Sequence, residues 1–235
     1  MFERPHHQRI AMVLQSLDGR LLRESHCLFG GGTAIALRYG EYRESVGIDF
    51  LVSDLAAYSA LRHLLTGGKG IAAITSGKQS PFSQLGELRA DRYGIRTKLQ
   101  VAGQAIKFEI VFEGRIELAA PSSEDEILGI ATLTALDMVA SKLLANSDRW
   151  ADDGVFNRDL IDLAMMRAPL KLLRQAGARA SQAYGDSIYR DLGRAIDRVR
   201  SRLGWLERCM EAMAMNVPKA QVWQNIRALR RVLPR

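Results

Sequence analysis

Three glycines and a threonine, Gly30-Gly31-Gly32-Thr33, stand between the apolar stretches "HCLF" and "AIAL". No helix or strand interior tolerates such a run, because each glycine brings maximal backbone entropy and no side chain to pack. The chain must therefore turn here, and the flanking residues predict a short strand entering and a helix leaving toward Gly40. Glycines in such a turn let the backbone approach a ligand closely. The helix behind them offers unpaired N–H groups and the positive end of its dipole to an anion. Thr33 can add a hydroxyl donor or cap the helix. A tight strand-to-helix turn without a ligand is the alternative reading of the glycines alone. The spacing is neither that of a P-loop nor that of a dinucleotide fingerprint. "SGKQS" at 76–80 is excluded as a P-loop because no glycine precedes Gly77 by five residues.

The segments around this turn predict an α+β fold. Ile10, Val13, Leu14 and Leu17 place an amphipathic helix over 5–18. "GIDFLVSD" reads as a second strand and "AAYSALRHLL" as a helix stopped by Gly67 and Gly68. "GIRTKLQVAGQAIKFEIVF" alternates like a hairpin turning at Ala102–Gly103–Gln104, and "FEGRIEL" could continue it as an edge strand. Pro121 then stops the chain. Ser122 and Ser123, each three residues ahead of an acid (Asp125 and Glu126), fit helix N-caps. Only helical periodicity follows. The expected organisation is an N-terminal α/β domain over 1–120 and a C-terminal all-helical domain over 121–235, with the active cleft between them.

The 235 residues can bury a sizeable core, and 47% hydrophobic with 25% charged content is ordinary for a globular protein. No apolar run approaches a membrane span, and "MFERPHHQRI" lacks a signal-peptide core, so a cytoplasmic location is expected. Cys27 and Cys209 stand alone, and His6, His7, His26 and His63 show no ligand spacing. Trp150, Trp205 and Trp223 are spread out and read as core. Charge is uneven: residues 170–235 hold 14 Lys+Arg against 5 Asp+Glu, about +9 of the chain's net +7, leaving about −2 for 1–169. A basic third of this kind suits a polyanionic partner, or else a well-solvated set of helix faces.

Two strands carry candidate carboxylates. In "GIDFLV" the residues Gly47, Asp49 and Leu51 share one face; in "IKFEIVF" Lys107, Glu109 and Val111 do. If these strands are neighbours, Asp49 and Glu109 converge beside the glycine turn. Mg²⁺ takes oxygen ligands and completes its shell with waters and substrate phosphates, so this layout suits nucleotidyl transfer.

"FGGGTAIALRYGEYRESVGIDFLV" resembles the opening of the AbiEii/AbiGii-type abortive-infection toxins, within the DNA polymerase β-like nucleotidyltransferase superfamily. Gly31, Gly32 and Thr33 match that family's Gly-Gly-Thr-Ala motif; Arg43, Ser45 and Asp49 match its Arg-x-Ser and acidic strand. Further on, "DMVASKLLANSDRWADDGVFNRDLIDLAMM" resembles its helical motif through Lys142, Arg149, Arg158, Asp159 and Asp162. The likeness spans roughly residues 27–167. It implies a polymerase-β-like α/β domain followed by a helical one, two Mg²⁺ ions, an NTP substrate, a nucleic-acid acceptor such as a tRNA, and a separately encoded antitoxin. It implies that Gly31, Gly32, Thr33, Arg43, Ser45, Lys142 and Arg149 contact the nucleotide. Asp49 and Glu109 would hold metal, Lys142 would act in catalysis, and Arg158, Asp159 and Asp162 would give structural support.

The family's first aspartate should stand where this chain has Gly47. Three explanations stay open: an inactivated toxin, a pseudoenzyme that still binds nucleotide or a partner, and replacement by another carboxylate such as Glu44 or Asp54.

Overall fold

The computed structural model describes residues 2–77 and 80–234; Lys78 and Gln79 of "SGKQS" lie outside the described residues. The chain forms two compact units. One holds the residues up to Leu37 together with Ser45–Thr134, and the other holds Arg38–Glu44 together with everything from Ala135 on.

The first unit is built on a five-stranded sheet. Helix α1 (Pro5–Ser16) begins with a proline, whose missing N–H costs nothing at that position, and buries His7, Ile10, Val13 and Leu14. Helix α2 (Gly19–Glu24) is capped by Asp18, which accepts the Leu21 N–H at 3.0 Å. Strand β1 (Leu28–Gly30) runs directly into helix α3 (Gly31–Arg38), so two of the glycines form the first turn of the helix. Strand β2 (Gly47–Val52) leads to helix α4 (Leu55–Thr66), capped by Asp54. Strands β3 (Phe82–Ala90), β4 (Gly94–Val101) and β5 (Gln104–Phe112) follow.

The sheet order is β1-β2-β5-β4-β3, with β2 and β5 parallel and every other pair antiparallel. Ala102 and Gly103, both at positive φ, make the two-residue hairpin turn between β4 and β5. One sheet face is core. Ile48, Phe50, Ile106, Phe108 and Ile110 are buried on it, and the Phe29 and Phe108 rings each lie 5.6 Å from Phe50. Lys107 and Glu109 alternate onto the other face.

Beyond Pro121 the expectation of helix alone is corrected. Strands β6 (Glu126–Ile127) and β7 (Ile130–Ala131) form a small hairpin, turning through Leu128 and Gly129 at positive φ. Thr132 then bridges to Phe29, and the Leu133 N–H donates to the Phe29 carbonyl at 3.0 Å. Two-residue strands are too short to leave an alternating pattern. What holds this segment is a pairing with a residue about a hundred positions earlier. Ser122 caps no helix: its N–H and hydroxyl both meet the Asp125 carboxylate in a local turn. "FEGRIEL" forms no further edge strand either; Phe112 closes β5, and the Glu113 N–H, donating to the Val52 carbonyl at 2.8 Å, prolongs the sheet pairing by one residue.

The second unit is helical: α5 (Ala135–Arg149), α6 (Arg158–Met165), α7 (Leu170–Tyr184), α8 (Ser187–Ser201), α9 (Trp205–Ala212) and α10 (Lys219–Ala228). Helix α5 packs on α6, α7 and α8 and buries Met138, Val139, Ala140, Leu143 and Leu144. Among the described residues no helix is long and apolar enough to cross a membrane. Cys27 and Cys209 are both buried, and burial raises both thiol pKa values, Cys209 to about 12, so neither is set up for thiolate chemistry.

Phe50 sits at the centre of the first unit's aromatic core. Phe50→Ala is expected to cost about 3–5 kcal/mol of stability, read as a lowered denaturation midpoint in urea. A loss under about 1 kcal/mol would show that the sheet core does not depend on this ring.

Candidate functional site

The parallel register of β2 and β5 pairs Gly47 with Lys107 and Asp49 with Glu109. Directly paired residues point to the same face, so the two expected carboxylates lie side by side on the face opposite the aromatic core. β1 adds the glycine turn, because Gly30 is the antiparallel partner of Asp49. Gly31 has φ +66°, and a Cβ on it would stand 2.6 Å from the Asp49 Oδ2. Only glycine satisfies both conditions. The first residue of α3 is therefore a seat against which the Asp49 carboxylate rests, and Gly31, Gly32 and Asp49 form one local assembly.

Thr33, expected at the nucleotide, is buried and turned inward. Its hydroxyl donates to the Gly47 carbonyl at 2.5 Å and lies 2.8 Å from the Ser45 hydroxyl. The Ser45 N–H donates to Nε2 of His7, a fully buried side chain of α1. Thr33 and His7 thus clamp the approach to β2 and fix where the strand begins. His7 is the residue that sequence reasoning missed. A histidine on the apolar stripe of a helix reads as packing, and its backbone partner 38 positions away leaves no pattern in the chain.

Position 47 itself does not require glycine. A Cβ there meets nothing nearer than the Lys107 carbonyl oxygen at 3.6 Å and the Asp49 Oδ1 at 4.0 Å. A carboxylate at 47 would have room and would stand beside Asp49. Asp54 is no substitute, since it lies past the far end of β2 and its carboxylate caps α4 by accepting the Ala57 N–H at 2.7 Å. Glu44 belongs to the segment Arg38–Glu44 of the helical unit, where its N–H donates to the Met213 carbonyl.

Glu109, expected at a metal, is ion-paired on both oxygens. Arg96 Nε donates to its Oε1 at 2.7 Å and the Lys107 ammonium takes its Oε2, so a cation occupies each oxygen. Among the described residues no group of three or more His, Cys, Asp or Glu side chains is arranged to hold a metal ion. The donor set of this chain, Asp49 without an acidic residue at 47 and with Glu109 already ion-paired, does not fit a two-Mg²⁺ centre.

The remaining expected residues meet inside the helical unit. The Asp162 carboxylate is fully buried and receives four donors: Tyr42 Oη at 2.5 Å, Arg43 Nε at 2.7 Å and Nη2 at 2.9 Å, and Lys142 Nζ at 2.6 Å. Lys142 also reaches Asp159 Oδ1 at 2.9 Å, and Arg149 forks onto Asp159 at 2.7 and 3.0 Å. Expected at phosphates, Arg43 and Lys142 are instead buried and ion-paired; Arg149 keeps about a third of its side chain exposed. Arg158 is exposed at the start of α6. Burial alone would raise the Asp159 pKa, but Lys142 and Arg149 outweigh it and hold the carboxyl well below its ordinary range. Asp162 is lowered in the same way by Arg43 and Lys142 against a full burial penalty. Burial pushes the Tyr42 hydroxyl up, with Asp162 adding to the rise, so it remains a donor.

The family model of the nucleotidyl transferase AbiEii toxin, type IV toxin–antitoxin system, matches residues 14–228. No curated protein matches. A crystal structure from H. pylori described as a candidate nucleotidyltransferase superposes with TM-score 0.52 at 15% identity, covering 99% of this chain and 97% of that one. The structure of JHP933 from Helicobacter pylori reaches 0.49 at 16% identity over 97% and 91%.

Because both buried aspartates titrate below their unfolded values, their stabilisation is complete above about pH 4 and is lost as pH falls through the lowered folded-state pKa values. Asp162→Asn leaves Arg43 and Lys142 short of a buried counter-charge and is expected to cost about 3–5 kcal/mol at neutral pH. The variant should also lose less further stability than the parent on acidification below about pH 4. Urea midpoints of both proteins across that range check this, and equal midpoints at pH 7 would remove Asp162 from its organising role.

Proposed function

The chain belongs to the AbiEii nucleotidyl transferase toxin family, and from that premise we propose that it is a toxin–antitoxin nucleotidyltransferase whose reaction centre is impaired by Gly47. In this reading the intact reaction moves a nucleoside monophosphate from an NTP to an acceptor hydroxyl, such as that of a tRNA, with pyrophosphate leaving. A separately encoded antitoxin restrains it. Gly31 and Gly32 offer backbone N–H groups and the N-terminus of α3 to the phosphates. Asp49 is the surviving carboxylate of the acidic pair, and Glu109 stands beside it on the neighbouring strand, ion-paired with Arg96 and Lys107. Thr33, Ser45 and His7 hold the entrance of β2 in place. Arg43, Lys142, Arg149, Asp159 and Asp162 act by positioning, as the charged core of the helical unit. A divalent ion would need a carboxylate at position 47 beside Asp49 to hold it, and would supply charge neutralisation at the phosphates.

The observation that carries this reading is the seat of Asp49 against Gly31, next to a strand position with space for the missing acid. One feature favours a second reading, in which the chain binds a nucleotide or protein partner without transferring anything. Arg96 and Lys107 already neutralise Glu109, which suits anion binding better than metal binding.

The test compares the protein with Gly47→Asp, using labelled NTPs, Mg²⁺ and total RNA. Transfer by the substituted form should exceed that of the parent by about 100-fold or more, and adding Asp49→Asn should abolish the gain. Transfer by neither form would favour the binding-only reading. Equal transfer by both would show that the acid at 47 is dispensable and that the chain is not impaired.

A further inference from the structure

Helix α8 carries arginines at 190, 194 and 198, continued by Arg202 at its C-cap, each four residues from the last. Residues at this spacing stack along one side of a helix with a rung about every 6 Å. The opposite side of α8 is core, with Ile188, Leu192, Ala195, Ile196 and Val199 buried.

Among the described residues two aspartates pair with the ladder, and each is shared; Asp197, also on α8, pairs instead with Arg200 and Arg230. Asp191 lies 3.3 Å from Arg190 and 3.5 Å from Arg194. Asp153 pairs with Arg198 and, at 2.8 Å, with Arg202. Four positive charges against two negative ones leave an excess of two along one helix face. The arginine side chains are 57%, 55%, 24% and 41% exposed in chain order. Two indoles, read from sequence as core, also hold these groups. Arg194 lies over Trp150 with 5.8 Å to the ring centroid, and Arg202 lies over Trp205 at 4.0 Å. A guanidinium held against an indole keeps a fixed plane, and each arginine has more donors than a shared carboxylate can satisfy.

We propose that the arginine ladder of α8 binds the sugar-phosphate backbone of an RNA strand. The ladder offers regularly spaced donors and excess charge, and no Asn or Gln rung for reading base edges, so it grips backbone without selecting sequence. The choice of RNA rests on the transferase reading, whose acceptor is an RNA hydroxyl; the surface rests on α8 alone. Binding is measured without NTP, so its failure and failure of the transferase reading are separable.

The probe is a fluorescein-labelled 20-nucleotide single-stranded RNA, followed by anisotropy over a salt series. Arg190→Gln with Arg194→Gln should weaken binding about tenfold near 100 mM salt and reduce the log–log salt slope by about 1.4, two phosphate contacts' worth. Lys171→Gln with Arg174→Gln, exposed on α7, should leave both unchanged. Asp153→Asn, which releases two rungs from their shared counter-charge, should tighten binding severalfold, an outcome that general destabilisation cannot give. Thermal melts confirm that the variants are folded. Unchanged affinity in the ladder variant, or weaker binding by Asp153→Asn, overturns the proposal. So does competition by poly-glutamate equal, charge for charge, to that by unlabelled RNA, which would make the face a dock for acidic protein.

Discussion

The Asp162 carboxylate is the point on which the helical unit depends. It is fully buried, and such a charge is tolerable only when its lone pairs are filled and opposite charge is close. Tyr42, Arg43 and Lys142 supply four donors to its two oxygens. Lys142 then carries the network to Asp159, and Asp159 to Arg149. The segment Arg38–Glu44, too short to have a core of its own, is held with the helices through Tyr42 and Arg43. Three cations against two carboxylates keep the cluster charged but internally paired. This explains how residues that resemble a phosphate-binding set can be occupied in holding the fold.

The sheet unit is organised by a different constraint, the parallel pairing of β2 with β5. That register alone puts Asp49 beside Glu109 and Gly47 beside Lys107. Pairing with β1 then brings the glycine turn onto Asp49, where Gly31 accepts a left-handed backbone and leaves no space for a side chain. The result is an anion-friendly helix start, one seated carboxylate and two cations around a second. Lys107 and Arg96 are paired with Glu109, and Arg96 also meets Asp91 at 3.0 Å, so the charges on this face are largely matched among themselves.

Much of this was legible in the chain. The glycine run marked the junction of β1 and α3, the Ala102–Gly103 hairpin announced itself between two alternating segments, and period-two counting set Asp49 and Glu109 each on one face of its own strand. The hairpin at Glu126–Ala131 was not legible, because two-residue strands are stabilised by a distant partner rather than by local pattern. The inward turn of Thr33 and the backbone bond accepted by His7 were hidden for the same reason. Charge pairing was hidden more deeply: a lysine in a helical motif looks the same whether it meets a phosphate or a buried aspartate.

The sequence by itself determined the kind of elements, the turn that joins β1 to α3, the missing acid at 47 and the membership of a nucleotidyltransferase family. The elements and the turn follow from local propensity and spacing, which each residue carries with it; the missing acid and the family follow from likeness to other sequences. Only the tertiary structure decided which groups meet: that Asp49 rests on Gly31, that Glu109 is neutralised by Arg96 and Lys107, and that Arg43 and Lys142 converge on Asp162. Such choices arise when burial removes water and each charged group must find a partner among whatever the fold brings within reach.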